Sequence, residues 1–438
     1  MNKDKLYRIT EYESFVCGKQ VPGHKLLPKK TFDELKNFIL TNKESNADFL
    51  ELLGISYRKG VGEIITAKNY VGVISMKDGT TIEILPKIYG DASVSADEAY
   101  ANAKKLLLRM LQSLKNAPFK SLQTSNVDVT KMDVFEVFIR MYIEEVFSIV
   151  KRGLKSSYET ISENKTYFKG KLKVSENIKY NIAHKERVFV EYDDFNQNRP
   201  ENRLLKATLE YLYKRTTSSK NKKDIKNLLA SFSSVSISTN YEKDFSKVIK
   251  DRNTKDYEMA LTWCQVFLRG KSFTSFTGSE VAVALLFPME TLFESYIAVK
   301  LRRVLDLKKY KVTIQAKGKF LFNELNGSKW NRFQLRPDIV VERIEDKKVF
   351  IMDTKWKVLS SELSSQNYGI SQSDMYQMYA YHKKYDAENV TLIYPKTDMM
   401  SEDMLTYKGA DQVTIRATFV DLMDVEGSLE RIMEAVFD

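Results

Sequence analysis

Two short motifs in the C-terminal third of the chain carry residue types that can cut a phosphodiester bond. Arg336-Pro337-Asp338 leads into the apolar run 339–341, and Asp353-Thr354-Lys355 ends the apolar run 349–352. Two carboxylates and a lysine on neighbouring strands are groups that can hold a divalent cation and offset charge on a phosphate. We therefore take Asp338, Asp353 and Lys355 as candidate catalytic residues.

Strand periodicity predicts how these side chains are arranged. Residues two apart on a strand share a face, so Asp353 and Lys355 should point the same way and Thr354 to the other face. The polar stretch 342–348 suits a turn. If that turn is centred on 345–346, the hairpin register sets Asp338 across from Asp353, where the two carboxylates could share one cation.

The ligand types indicate which cation this would be. Carboxylate oxygens without nearby cysteine or histidine favour a hard ion, so Asp338 and Asp353 predict Mg²⁺, with Mn²⁺ as the alternative. Such an ion would polarise a phosphate and lower the pKa of a bound water. Lys355 would orient that water or offset the charge of the transition state. The competing interpretation is a solvated hairpin with scattered charges, since an Asp-x-Lys triplet is common.

A predicted helix before the motifs supplies a further acid. It begins at Pro288, a residue favoured in the first turn, and its apolar residues recur at helical spacing through 305. Glu294 lies beside that apolar stripe. It is either an additional metal ligand or an exposed helix carboxylate.

A predicted helix after the motifs carries polar groups of another kind. Gln377 and Tyr381 are four residues apart within 374–381 and therefore share a face. They could hold a nucleic-acid backbone or brace Lys355; the alternative is a core stripe of methionine and tyrosine with one polar neighbour. Arg336, within the first motif, is a further candidate for contact with DNA.

The order of predicted elements defines the expected architecture. Helix, strand, hairpin, helix and strand in 273–438 predict an α/β core with a mixed central sheet flanked by helices. Residues 1–90 read as a small α+β module, and residues 91–272 as a mostly helical middle region. The stretch 272–278, rich in serine, threonine and glycine, is the expected boundary of the last domain.

Several segments, in this order along the chain, resemble the McrC family, the nuclease subunits of McrBC-type modification-dependent (type IV) restriction systems. The motifs around Asp338 and Asp353 resemble the PD-(D/E)xK nuclease superfamily, and the helix with Gln377 and Tyr381 is similar to that of its RecB-like branch. The segments that carry the family resemblance are Gly72-Val73-Ile74 with 82–88, Gly170-Lys171-Leu172 with 202–206 and Leu209, Pro288-Met289-Glu290 with 292–294, and the two motifs themselves.

The resemblance implies a division of labour. In that family the N-terminal part docks onto a hexameric ring of McrB, an AAA+ GTPase, and stimulates its GTP hydrolysis; the C-terminal part cuts double-stranded DNA. Recognition of modified cytosine usually belongs to McrB. Carried over, residues 1–90 would dock the ring, 91–272 would add partner contacts and a linker, and 273–438 would form a restriction-endonuclease-like nuclease domain. Whether nuclease subunits pair to cut both strands is left open.

Bulk properties agree with a DNA-processing protein. The 438 residues carry a net charge of +11, which suits a phosphate-rich partner. Only two cysteines are present, and the longest uncharged apolar stretch, 281–289, is too short to span a bilayer. We therefore expect a cytoplasmic protein without a membrane partner. Gly270-Lys271-Ser272 ends like a P-loop, but Gln265 replaces its first glycine, so nucleotide hydrolysis is expected on another chain.

Three functions remain open at this point. The first is an endonuclease subunit that works under a separate GTPase motor. The second is a RecB-like nuclease that acts alone or in another defence complex. The third is a non-catalytic adaptor that regulates a AAA+ ring. The presence of both aspartates and the lysine favours the enzymatic alternatives.

Overall fold

The computed structural model describes residues 5–45, 53–76, 78–87, 95–114, 132–248, 254–269, 281–324 and 331–437. Internal contacts divide the chain into two compact units. The smaller unit is Met132–Thr277, and the larger unit joins Lys5–Lys131 to Gly278–Asp438. The larger unit is therefore discontinuous in sequence.

The elements of the N-terminal stretch come first. They are β1 (Leu6–Thr10), β2 (Ser14–Cys17), β3 (Lys25–Leu27), α1 (Lys29–Ser45), β4 (Leu53–Arg58), β5 (Gly62–Ala67), β6 (Tyr70–Met76), β7 (Thr81–Leu85) and α2 (Ala96–Leu111). The smaller unit contains α3 (Val134–Arg152), β8 (Ser157–Lys165), β9 (Lys171–Leu172), α4 (Val174–Asn181), β10 (Val188–Asn196), α5 (Pro200–Tyr213), α6 (Ser219–Ser231), α7 (Tyr241–Lys247) and α8 (Glu258–Arg269).

The C-terminal stretch completes the larger unit. Its elements are β11 (Val281–Pro288), α9 (Met289–Val304), β12 (Tyr310–Ile314), β13 (Lys319–Asn323), β14 (Asn331–Leu335), β15 (Ile339–Arg343), β16 (Val349–Thr354), α10 (Gln372–Tyr385), β17 (Ala387–Pro395), β18 (Met404–Lys408), β19 (Thr414–Val420) and α11 (Val425–Phe437).

A six-stranded mixed sheet organises the C-terminal stretch, in the order β12-β15-β16-β17-β19-β18. Strands β16, β17 and β19 run parallel, and the outer pairings are antiparallel. On one face Ile351 joins the buried cluster that contains Met378 of α10. On the other face the ring of Phe350 lies 4.6 Å from that of Phe437 in α11. Alternation along β16 thus places helices on both faces, which confirms the predicted mixed α/β architecture.

The N-terminal stretch shares a sheet with the C-terminal stretch. The order β1-β7-β6-β11 places β11 antiparallel to β6, with Phe287 opposite Val71. Strand β11 then runs directly into α9. This arrangement differs from the predicted division at 90 and 272, because backbone pairing unites 70–76 with 281–288. The residues around 272–278 and the triplet 270–272 lie outside the described residues.

The smaller unit packs helices around an aromatic core. Trp263 and Phe267 of α8 stack with ring centroids 5.4 Å apart, and Phe138 of α3 lies 5.9 Å from Trp263. A three-stranded sheet, β8-β10-β9, accompanies these helices. Strand β10 continues through the polar residues Asp193 and Asp194 to Asn196, because its ladder with β8 extends that far. No helix within the described ranges is both long and apolar enough to cross a bilayer.

Gly72 permits the close approach of β11 to β6. Its φ is +138°, and a Cβ at this position would lie 1.9 Å from the carbonyl oxygen of Leu285. That distance is far inside van der Waals contact, and L side chains rarely adopt this backbone conformation. The glycine is therefore required by both sterics and backbone geometry.

We predict that Gly72→Ala lowers the free energy of unfolding by roughly 3 kcal/mol or more, because the ladder between β6 and β11 must open to admit the methyl group. Denaturant unfolding of the purified protein measures this change. Gly23→Ala is the matched control: its φ is +79° but a Cβ meets nothing within 4 Å, so about 1 kcal/mol of backbone strain is expected. Equal losses in both variants would contradict the steric argument.

Candidate active site

The β15–β16 hairpin brings the two acidic motifs together. Ile339 pairs with Met352 and Val340 with Ile351, so continuing the register by one residue sets Asp338 opposite Asp353. The chain turns at 344–346, and Lys347 donates its backbone N–H to the carbonyl oxygen of Arg343 at 3.0 Å. The predicted register and turn are therefore confirmed.

Asp338 is held by the residue that follows Asp353. Its Oδ2 accepts hydrogen bonds from the backbone N–H of Thr354 at 2.8 Å and from Thr354 Oγ1 at 2.7 Å. The sequence predicts that Thr354 points to the opposite face from Asp353 and Lys355. That prediction is wrong for the Thr354 hydroxyl, which contacts Asp338. Asp338 precedes β15, outside the regular alternation, and its short side chain can reach across to the end of β16. Burial raises the pKa of Asp338 despite these two donors.

Asp353 lies at the buried end of β16 and is 2% exposed. Burial raises its pKa to about 7, and the neighbouring charge of Asp338 adds to this effect. Its Oδ2 lies 2.6 Å from Lys355 Nζ as an ion pair, and it receives no well-aligned hydrogen bond from the described residues. A buried carboxylate oxygen of this kind, with a second acid beside it, fits a divalent cation.

Lys355 lies where β16 leaves the sheet. Its backbone N–H donates to the carbonyl oxygen of Ile393 in β17 at 2.9 Å. Its Nζ contacts Asp353, donates to Gln377 Oε1 at 3.2 Å and lies 3.9 Å from Asp374 Oδ1. Burial by itself lowers the pKa of Lys355, but the nearby carboxylates, led by Asp353, raise it overall. The ammonium is therefore held charged.

Helix α10 supplies the groups around the lysine. It begins after Ser371, whose side chain accepts from the backbone N–H of Asp374. Gln377 Nε2 donates to the hydroxyl of Tyr381 at 2.9 Å, which confirms that these two residues share a face. Tyr381 is buried, and burial together with the two site aspartates raises its pKa.

Asp374 is a site residue that the sequence reasoning missed. Its position three residues before Gln377 on the same helix, within a Ser-x-x-Asp start, is a signal that could have found it. The side chain of Arg336 donates to Gln334 Oε1 at 2.9 Å. A role of that side chain in DNA contact stays a prediction.

Glu294 is linked to Asp338 through one intervening residue, Gln315. Its carboxylate accepts from the side chain of Gln315, whose backbone N–H donates to the carbonyl oxygen of Asp338 at 2.8 Å. Among the described residues no group of three or more His, Cys, Asp or Glu side chains is arranged to hold a metal ion. Glu294 as a metal ligand therefore stays a prediction.

Fold and site together define a class: a mixed α/β protein with two adjacent acids and a lysine at the end of a central hairpin. The sequence matches the profile of the McrBC 5-methylcytosine restriction system component family over residues 65–395, and the protein belongs to this family. The predicted relationship is thereby confirmed.

Comparison with solved structures identifies a chain with the same fold. A chain of the refined half-complex from the tetradecameric assembly of Thermococcus gammatolerans McrB AAA+ hexamers with bound McrC is similar with a TM-score of 0.66 and 18% identity. The match covers 98% of this chain and 100% of that one. A chain of the Thermococcus gammatolerans McrBC complex has a TM-score of 0.46 and 19% identity, covering 69% and 88%. A comparison with curated proteins found no match.

Asp353→Asn should change how the stability of the metal-free protein depends on pH. Folding raises the pKa of Asp353 from 3.8 to about 7, so the folded state binds this proton more tightly. The contribution of this proton to the free energy of unfolding is fully present below about pH 4 and is lost as the pH rises through about 7. We therefore expect the free energy of unfolding of the variant, relative to wild type, to increase by roughly 1–3 kcal/mol between pH 5 and pH 8.

Denaturant unfolding in a chelator at both pH values measures this difference. Asp411→Asn serves as the control, because the Lys383 and Tyr379 side chains lower the pKa of Asp411 to about 2. That acid is ionised at both pH values, so the control should differ from wild type by the same amount at each. A pH-independent difference for Asp353→Asn would contradict the raised pKa.

Proposed function

We propose that this protein is the DNA endonuclease subunit of a McrBC-like restriction complex, with Mg²⁺-dependent PD-(D/E)xK chemistry. The observation that carries the proposal is the position of Asp338 and Asp353, each one residue beyond the last hairpin pair, with Lys355 Nζ 2.6 Å from Asp353. Membership of the McrBC family supports a role in DNA restriction.

The two aspartates would hold the metal ion. Asp353 has a buried oxygen that receives no aligned hydrogen bond from the described residues, and Asp338 presents a second acid beside it. Mg²⁺, or Mn²⁺ in its place, would supply Lewis-acid polarisation of the scissile phosphate and a lower pKa for a bound water. Glu294 is a candidate additional ligand through displacement of its Gln315 contact.

Lys355 would act on the substrate from a fixed position. The carboxylate of Asp353 keeps its ammonium charged, and Gln377 Oε1 limits where the Nζ can move. Tyr381 in turn binds the amide of Gln377. A cation held in this way can orient an attacking water and offset the negative charge that develops on the phosphate. The net charge of +11 favours approach of DNA, for which Arg336 is a candidate contact.

The partner would be an AAA+ GTPase similar to McrB. The similar solved assembly contains McrB AAA+ hexamers with bound McrC. In the present chain the smaller unit exposes a set of large apolar side chains, which is typical of an interaction surface. Tyr158 and Phe195 face each other across β8 and β10, with ring centroids 5.0 Å apart and exposures of 74% and 63%.

Five further large apolar side chains of the smaller unit are exposed: Tyr167, Phe168, Ile178, Tyr180 and Ile182. Together with Tyr158 and Phe195 we call them the aromatic surface. We propose this surface as the main contact with the ring, within the region 91–272 that sequence reasoning assigned to partner contact. Docking through 1–90 stays a prediction. Deleting 1–90 cannot test it, because the deletion also removes β6, the neighbour of β11.

The two alternative functions predict different activities. A RecB-like nuclease that acts alone would cleave without a GTPase, and family membership argues for the partnered form. A non-catalytic adaptor would stimulate the ring without cutting DNA. Pairing of two nuclease subunits remains a proposal that accounts for cleavage of both strands.

We predict that Asp353→Asn and Lys355→Ala each reduce Mg²⁺-dependent DNA cleavage by about 10²-fold or more in the complex reconstituted with its GTPase partner. Stimulation of GTP hydrolysis should survive, because neither residue belongs to the aromatic surface. Plasmid cleavage and phosphate release from GTP are measured on the same preparations.

Lys357→Ala is the matched control for the lysine variant. Lys357 is exposed and lies two residues beyond Lys355, so its loss should leave cleavage near the wild-type rate. Wild-type cleavage by Asp353→Asn would rule out this active site. A wild-type protein that stimulates the GTPase but never cuts DNA would instead support the adaptor.

We predict that the double variant Tyr158→Ser and Phe195→Ser raises the protein concentration needed for half-maximal GTPase stimulation by about tenfold or more, since aromatic side chains often dominate interfaces. Tyr57→Ser, an equally exposed aromatic position on β4 at 76%, is the control and tests the predicted N-terminal docking. A shift with the Tyr57 variant alone would move the docking surface to the N-terminal module.

A further inference from the structure

A buried acid from the N-terminal stretch lies beside the proposed catalytic strand. Glu11 is 0% exposed, although it occupies a short turn between β1 and β2. Its backbone N–H donates to the carbonyl oxygen of Leu85 at 3.1 Å, and its Oε2 accepts from the backbone N–H of Lys87 at 3.1 Å. Main chain and side chain thus fix this carboxyl to the end of β7.

The same carboxyl binds Trp356, the residue after Lys355. The indole Nε1–H of Trp356 donates to both Oε1 and Oε2 of Glu11, each at 3.1 Å. The ring of Trp356 also packs on Phe293, with centroids 5.3 Å apart. Phe293 immediately precedes Glu294 on α9. The residue after Lys355 therefore contacts both Glu11 and the residue before Glu294.

Trp356 lies just beyond the end of the sheet, so no strand pairing among the described residues holds it. Strand β16 stops at Thr354, and Lys355 makes the last backbone contact with β17, through Ile393. Beyond that point the chain leaves the ladder. The indole contacts with Glu11 and Phe293 hold the first side chain beyond the ladder, next to the Lys355 backbone.

The position of Glu11 is energetically costly, which argues against a role in stability alone. Burial raises its pKa to about 8, and Glu290 adds to this, while the Lys87 and Trp356 donors oppose it. Burying a carboxyl is unfavourable even when donors surround it. A neutral side chain of the same shape would therefore cost the fold little.

We propose that Glu11 is a positioning residue for the nuclease site: by holding the indole of Trp356, it fixes the end of β16 and thus the approach of Lys355 Nζ to Asp353. This inference rests on the proposed nuclease function. Glu11 does not touch the two aspartates among the described contacts, so it acts through Trp356. The N-terminal stretch is thereby part of the catalytic unit.

The test compares Glu11→Gln and Trp356→Phe with the control Glu13→Gln in the reconstituted complex. Glu13 lies in the same turn, where it accepts from the backbone N–H of Thr10 at 2.8 Å and contacts Lys25. We expect both test variants to lower kcat for DNA cleavage about tenfold, because small displacements of a catalytic group slow the reaction strongly. KM for DNA and GTPase stimulation should stay unchanged, and the double variant should be no slower than either single one.

Two further measurements separate positioning from folding. Glu11→Gln should keep the wild-type Tm within a few degrees, since it removes a buried acid. In protein labelled with 5-fluorotryptophan, Glu11→Gln should shift the ¹⁹F signal that Trp356→Phe removes and leave the signal of Trp263 in place; Glu13→Gln should shift neither.

The outcomes distinguish this inference from the function on which it rests. Wild-type kcat in both Glu11→Gln and Trp356→Phe, with an active wild-type protein, overturns the positioning role and leaves the nuclease intact. A wild-type protein that does not cleave overturns both. If Glu11→Gln fails to fold, Trp356→Phe still decides: a slow, stable variant supports positioning, and an active one excludes it.

Discussion

The register of the β15–β16 hairpin is the constraint on which the candidate site depends. Because side chains alternate along a strand, a slip of one residue would turn Asp353 to the opposite face from its present neighbours. Buried residues on both strands, Val341 opposite Phe350 among them, resist such a slip. Parallel pairing of β16 with β17 fixes the strand from its other side, and it extends to Thr354. The position of the acids is therefore decided by apolar packing several residues away.

Desolvation then determines the protonation of Asp338 and Asp353. Two carboxyls at the end of a buried hairpin cannot both ionise cheaply, and burial raises the pKa of each, that of Asp353 to about 7. Thr354 and Lys355 supply partial compensation through hydrogen bonds and an ion pair. The remaining deficit of positive charge suits a divalent cation. The nearby carboxylates, led by Asp353, keep the Lys355 ammonium charged against the effect of its burial, so the metal fit and the charge of the lysine both depend on these acids.

The sequence could predict what is local and not what is distant. Alternating apolar residues and a polar turn were enough for the hairpin register, and a four-residue spacing was enough for Gln377 and Tyr381. The contact of Glu11 with Trp356 joins residues 345 positions apart, and no periodicity reports such a pairing. The addition of β11 to β6 was missed for the same reason, and the predicted division of the chain failed with it. In β10 the polar residues after Tyr192 resembled a turn, but ladder partners on β8 extended the strand.

The two compact units divide the proposed roles differently from the three consecutive segments that the sequence predicts. Residues 5–131 and 278–438 form one unit, and sheet pairing and the Glu11–Trp356 contact join the N-terminal stretch to the strands of the proposed nuclease site. The aromatic surface lies in the other unit, which is inserted between these two stretches. Substitutions on the aromatic surface leave the pairing of β6 with β11 intact, whereas deletion of the N-terminal stretch removes it. The proposed cleavage and the proposed GTPase stimulation are therefore separated by surface substitutions in the inserted unit and not by terminal truncation.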